Sequence, residues 1–338
     1  MKSTPQELVS APEHAIGQAP ESEIVQAEMA DGWQPPRPVF QRRLGLPLVL
    51  FLLTCGSTFF AGATGWMPGE LVFARGFSGP YFQLPARLAV MEHWRDGLIY
   101  MGCVLSILLC HEMGHFVMTL VYGVRASLPL FVPFPVSPIG TMGAVIVMGG
   151  SQANRKQIFD IGLAGPVAGL VVAIPIMWIG ASQLDLSIAP EGHGFGLPLA
   201  VRWLLSVLHP AAKDIQYIAL NQLNPFFMAG WVGMLITGLN MLPVSQLDGG
   251  HITYALFGRG AHWLARAFML AVFIYMTVEA TVYRSFPPWV LMALLVMLMG
   301  TDHPPTRDDT VPVGWLRTAI GFASLLIPVF CFAPNLVK

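Results

Sequence analysis

The 338-residue chain is 54% hydrophobic and only 11% charged, with a net charge of −1. Soluble domains carry about 25% charged residues; with a mean hydropathy of +0.61 and several apolar runs of span length, the composition excludes an ordinary soluble domain and indicates a polytopic membrane protein. A balance so close to neutral gives no basis for a nucleic-acid partner.

Residues 1–45 are polar, carry Pro5, Pro12, Pro20, Pro35, Pro36 and Pro38, and cannot bury a core; a disordered tail is expected. Arg37, Arg42 and Arg43 precede the first apolar run and place the N-terminus in the cytoplasm by the positive-inside rule. A first span is expected over 46–63, a polar loop over 64–96 and a second span over 97–122. The second span brings His111, Glu112 and His115 back towards the cytoplasmic side, in agreement with Arg125 just beyond it.

Residues 126–150 are apolar but interrupted by Pro129, Pro133, Pro135 and Pro138, so a helix is ruled out. Val, Ile and Phe flank Gly140-Thr141-Met142-Gly143, which reads as the turn of a β-hairpin dipping into the membrane. Irregular backbone at that depth needs protein or a wet cavity beside it. A third span over 159–181 follows Arg155 and Lys156. It holds Gly162, Ala164, Gly165, Pro166 and Gly169, a density of small residues that permits close helix approach. Asp160 reads as a first-turn acid favoured by the helix dipole.

The loop 182–225 is expected outside, with a short amphipathic helix over 195–209. A fourth span, 226–244, runs into NMLPVSQLDGGH. Pro243 should break it, and Gly249 and Gly250 should end it. A fifth span over 264–283, a short tilted or re-entrant run over 286–300, a polar loop over 302–309 and a last span over 314–332 complete the chain. The fold class is all-α polytopic membrane protein, with six or seven transmembrane helices and a small membrane-inserted β-hairpin. Cys55, Cys103, Cys110 and Cys331 lie in apolar segments without a CxxC spacing, which predicts free thiols.

The chemistry concentrates in the second span. His111 and His115 are four residues apart, so on a helix both imidazoles share one face, one turn apart, and can reach one zinc ion. Glu112 sits at the edge of that face, placed to take a proton from zinc-bound water. A catalytic zinc needs a third protein ligand. Asp248, His251 and Glu279 are the candidates, and Asp248 and His251 arrive at the same depth as the histidines although their span was placed independently.

HEMGH followed by NMLPVSQLDGG resembles the site-2 protease family of intramembrane zinc metalloproteases, whose hallmarks HExxH and NxxPxxxLDG are matched by His111, Glu112, His115, Asn240, Pro243, Leu247, Asp248 and Gly249. The runs GLAGPVAG and GTMGAV are similar to further family signatures, and the segments 229–251 and 303–309 resemble the EGY-like branch of plants and bacteria. The resemblance implies one zinc ion per chain held by His111, His115 and Asp248, with Glu112 as the base. It implies hydrolysis of a peptide bond in or near the transmembrane segment of single-span membrane proteins, within the lipid bilayer. Asn240 is the candidate for orienting substrate or stabilising an oxyanion. Gly140, Thr141, Gly143, Ala144 and Val145 are candidates for holding an unwound substrate as an added strand. The transmembrane metalloprotease domain is expected over 46–338 with its core at 97–250. No PDZ-type insertion or CBS-type module fits this length. A bacterial inner membrane is expected, because no Arg/Ser-rich, acid-poor leader is visible. A zinc transporter, an idle membrane scaffold and a CAAX-type protease using Glu279 are the competing readings; the oligomeric state is open.

Overall fold

The computed structural model describes residues 44–69, 84–148, 152–191, 194–210, 215–244, 246–282, 290, 300, 303–304 and 306–333. Nearly all of the expected tail and of the 286–300 run lies outside them. Among the described residues the order is α1 (Gly45–Ala63), α2 (Leu84–Val121), β1 (Leu130–Pro133), β2 (Thr141–Val145), α3 (Arg155–Ser182), β3 (Gly194–Gly196), α4 (Leu199–Leu208), β4 (Tyr217–Ala219), α5 (Pro225–Asn240), α6 (Asp248–Phe257), α7 (Ala261–Thr281), α8 (Trp315–Ser324) and α9 (Ile327–Cys331). Four stretches are long and apolar enough to cross a membrane: Gly45–Ala63, Arg87–Val121, Arg155–Ser182 and Asp248–Thr281. The chain is an integral membrane protein, mostly helical, with two small two-stranded sheets.

Three elements differ from the sequence-based expectation. Helix α2 begins at Leu84, well before residue 97, and bends at His93 (φ −112°, ψ 23°). The charged residues between Arg87 and Asp96 read as loop, yet they simply continue the helix beyond its apolar part. Gly249 and Gly250 do not end a helix: α5 stops at Asn240, and α6 begins at Asp248. Glycine at 249 serves close approach instead, because a Cβ there would lie 2.1 Å from the Met241 carbonyl oxygen. Finally, Thr141–Val145 is strand rather than turn. The chain reverses over 134–140, where Phe134 N–H donates to Gly140 O and Ser137 N–H to Phe134 O, and Gly140 adopts φ +80°. Strand β2 then pairs antiparallel with β1, Leu130 opposite Val145 and Phe131 opposite Ala144.

Helices α2, α3 and α5 form the centre, with Tyr100, Leu108, Met177, Phe227 and Met228 all buried there. Between membrane helices such packing stabilises through close contact rather than through water exclusion. At Gly180 a Cβ would stand 2.2 Å from Phe227 N, and at Gly230 it would stand 2.7 Å from Met177 Cα. Asn224 reinforces that junction: its Oδ1 accepts from Phe227 N–H (2.8 Å), capping α5, while its Nδ2 donates to Gly180 O (2.8 Å). Pro225 fills the first helical position, where no N–H is needed.

The start of α3 is fixed as firmly. Asn154 and Gln157 form a reciprocal capping box, each bond 2.9 Å. Arg155 reaches across to donate from Nε to Ala255 O (2.5 Å) and from Nη2 to Leu256 O (2.8 Å), capping the far end of α6. Asp160 is not the first-turn acid expected, because α3 begins at Arg155 and places it in the second turn; instead it accepts two bonds from Arg317 (2.7 and 3.0 Å) and one from Tyr122 Oη, tying α3 and α8 to the end of α2. All four cysteines are free. The hairpin leans on α1, with Phe51 and Phe131 edge-on at 5.1 Å, and Tyr100 Oη donates to Ile139 O (2.9 Å).

Candidate metal centre

The helical period of α2 sets His111 and His115 on one face, and the restart of the chain at Asp248 sends a carboxylate towards them. Asp248 Oδ2 lies 3.1 Å from His111 Nε2, and Asp248 Oδ1 lies 3.2 Å from His115 Nε2. One donor atom from each of the three residues falls within 4.8 Å of the others. Glu279 is not part of this group, and neither is His251. His115 Nδ1–H donates to Ile161 O (2.7 Å), which fixes the ring and leaves the Nε2 lone pair facing Asp248. Asn240 Nδ2 stands 3.2 Å from His111 Nε2.

The wall behind these rings is the GLAGPVAG run of α3. A Cβ on Gly165 would sit 2.0 Å from His115 Nε2, one on Gly169 would sit 3.0 Å from His111 Nδ1, and one on Gly162 would sit 2.9 Å from His251 Cβ. Small residues there do bring helices close, since a Cβ on Gly114 would meet Ala164 O at 2.5 Å. The sequence did not reveal that the same glycines make the seats for the two imidazoles. Their spacing of three and four in Gly162, Gly165 and Gly169 was the available signal.

The centre opens on a cavity of about 220 Å³, lined by Glu112, Asn240, Gly143, Ala144 and Val145 as well as the three clustered residues. Gly140 and Thr141 are not among its lining. Gly140 packs on the α1 backbone at Ser57–Thr58, and the Thr141 hydroxyl donates to Val132 O (2.9 Å) inside the hairpin. A larger apolar groove of about 570 Å³, lined among others by Arg202, Phe268 and Val329, contains none of these residues, so size alone does not mark the chemistry.

Two buried carboxylates, Glu112 and Asp248, share this space with two imidazoles, and no lysine or arginine is among the cavity's lining residues. Buried carboxylates need a cation or a set of donors. A divalent ion in a nitrogen–nitrogen–oxygen set would meet that need and match the ligand types of a catalytic site with an open fourth position.

A membrane-embedded helical core with a helix-borne His/His pair, an adjacent buried Glu and a carboxylate from a later broken span defines a metallopeptidase-type centre. Residues 99–280, just over half of the chain, match the model of peptidase family M50, and the chain belongs to that family. It is similar to "Probable zinc metalloprotease EGY1, chloroplastic" of Arabidopsis thaliana, 29% identical over 86% of this chain and 53% of that protein. Its likeness to the protein of the same name in Oryza sativa subsp. japonica is 28% over 88% and 52%. "Probable zinc metalloprotease EGY2, chloroplastic" of Arabidopsis thaliana is 29% identical over 60% of this chain and 36% of that protein. The chain thus spans about half the length of the first two relatives. No solved structure matches it. These relatives are named as chloroplastic, so the expectation of a bacterial inner membrane is not supported.

Proposed function

We propose that this chain is an intramembrane zinc metalloprotease that hydrolyses a peptide bond in or near the transmembrane segment of single-span membrane proteins. The observation that carries this reading is the meeting of Asp248 with His111 and His115, with Glu112 buried beside them. Membership of peptidase family M50 and the likeness to proteins named as zinc metalloproteases support it.

His111, His115 and Asp248 would hold one zinc ion per chain. Zinc, when bound, supplies Lewis acidity, polarising a carbonyl and making water a nucleophile near neutral pH. Glu112 takes the proton of the attacking water and passes it to the leaving amine. Asn240, whose amide nitrogen already points into the cluster, orients the scissile carbonyl or steadies the oxygen as it gains charge. Ile161 O keeps His115 in one tautomer throughout.

A substrate helix hides its carbonyls in its own hydrogen bonds, so it must unwind before attack. Among the described residues β2 pairs only with β1, and Gly143–Val145 line the cavity. An extended segment added at β2 would therefore lie beside the zinc. In this reading the hairpin enters the membrane from the cytoplasmic side, the N-terminus and the 1–45 tail are cytoplasmic, and the domain 46–338 crosses the membrane six or seven times.

The test is co-expression of wild type and Glu112→Gln with a library of tagged single-span membrane proteins, together with metal analysis of both. The reading requires fragments that appear only with wild type while both proteins carry one zinc. Identical fragment patterns in the two would refute it.

A further inference from the structure

Beside the centre lies a histidine chain that the proposed reaction does not use. His251, at the end of the first turn of α6, lines the cavity. Its Nδ1 is 2.7 Å from Nε2 of His303. His303 is buried, and its Nδ1 is 2.6 Å from Pro304 O. Tyr254 stacks on the His303 ring at 4.3 Å and 16°, and its hydroxyl donates to Asp309 Oδ2 (2.9 Å). The segment carrying His303 is pinned further along, where Arg155 N–H donates to Asp308 O (3.3 Å) and Arg307 N–H to Ala153 O (2.9 Å).

These contacts fix the protons. Burial holds His303 below the usual histidine range, against the opposing pull of the Pro304 carbonyl, so its ring is neutral. The Pro304 carbonyl can only accept, so the single proton of His303 is on Nδ1. His303 Nε2 is then a bare acceptor, and His251 Nδ1 must carry the proton between them. In neutral His251 this leaves Nε2 as a lone pair. No described residue bonds to that atom, and it is not among the fully buried unsatisfied atoms, so it opens on the cavity.

We propose that His251 contacts substrate: Nε2 accepts a backbone N–H of the extended segment being cut, and His303 is the positioning residue that holds His251 in the accepting tautomer. The inference rests on the protease reading above, and it gives the 303–309 run a task. An extended peptide presents N–H groups that a membrane interior cannot satisfy. A fixed acceptor beside the metal would recognise a segment that has already unwound and refuse one that is still helical.

The experiment uses the zinc-loaded full chain in detergent and a leucine-based peptidyl hydroxamate, with analogues in which each amide N–H is replaced in turn by an ester oxygen. Affinity is measured by calorimetry and zinc by elemental analysis. Losing one neutral hydrogen bond should weaken binding about 3- to 10-fold. One ester analogue should show that loss against wild type and no loss against His251→Leu. His303→Leu should behave like His251→Leu, whereas His303→Gln, whose amide oxygen can still accept from His251, should recover the wild-type pattern. Ester effects that are the same in wild type and His251→Leu overturn the proposal, as does loss of zinc from His251→Leu, which would make His251 a ligand. If zinc-loaded wild type binds no hydroxamate at all, the metallopeptidase reading falls with it, an outcome distinct from the other two.

Discussion

Gly165→Ala separates a ligand seat from a mere packing position. The new methyl carbon would lie 2.0 Å from Nε2, 2.3 Å from Cε1 and 2.5 Å from Cδ2 of His115. Non-bonded carbons settle at about 3.5–4.0 Å, so the ring must retreat by roughly 1.5 Å. It cannot swing freely, because Nδ1 is held 2.7 Å from Ile161 O. Metal–ligand distances tolerate only about 0.2 Å. Zinc affinity should therefore fall at least 10- to 100-fold, the range seen when supporting contacts of a ligand are lost, or about 1.4–2.8 kcal/mol. The intrinsic helix preference runs the other way, since alanine is favoured over glycine by about 1 kcal/mol. A poorer helix thus cannot explain a loss. Gly102→Ala, facing open space on α2, is the control, and Gly169→Ala, with His111 Nδ1 at 3.0 Å, should fall between them. The assay is competition with a chromophoric chelator on purified protein, with circular dichroism to check helix content. If Gly165→Ala binds zinc as tightly as Gly102→Ala, His115 is not a ligand in this geometry.

Three further outcomes are expected. Asp248→Ala should purify with little zinc while Glu279→Ala keeps one ion per chain, as elemental analysis will show; the opposite pattern would favour the CAAX-type arrangement. Val145→Pro should reduce cleavage of any substrate found by the library screen at least tenfold with zinc content unchanged, because proline cannot donate to an added strand; normal cleavage would remove β2 from substrate binding. Asp160→Asn should lower stability by about 1–2 kcal/mol through the weakened Arg317 pair, read as a lower Tm in detergent, and an unmoved Tm would show the pair to be dispensable.

The pairing of His111 with His115 was legible because a four-residue interval has one meaning on a helix, whereas Asp248 stood beside His251 and Glu279 as a candidate until the resemblance of NMLPVSQLDGG to the family motif singled it out. The restart of α6 at Asp248 was not legible. Two successive glycines locally favour a stop, and only the proximity of the Met241 and Leu242 carbonyls shows why Gly249 lies inside a helix. The beginning of α2 was misplaced for a related reason: charge marks where a helix leaves lipid, not where it ends. The position of the hairpin reversal depended on backbone bonds among Phe134, Ser137 and Gly140, which the alternation of apolar residues does not encode. The link from His251 to His303 spans 52 residues and joins two segments with no shared periodicity.

Helix α5 has 16 residues, about 24 Å of rise, against a hydrocarbon layer of about 30 Å. Its rise alone falls short of that layer, and it ends at Asn240, whose amide stands beside His111. Amides of Met241 and Leu242 take up the Thr237 and Leu239 carbonyls, yet a helix end offers four such oxygens. Carbonyls at a helix end are groups that a hydrocarbon layer by itself cannot satisfy. Under the proposed protease reading, a helix that ends beside His111 would give water, the second reactant of a hydrolysis, a polar foothold next to the His111, His115 and Asp248 group.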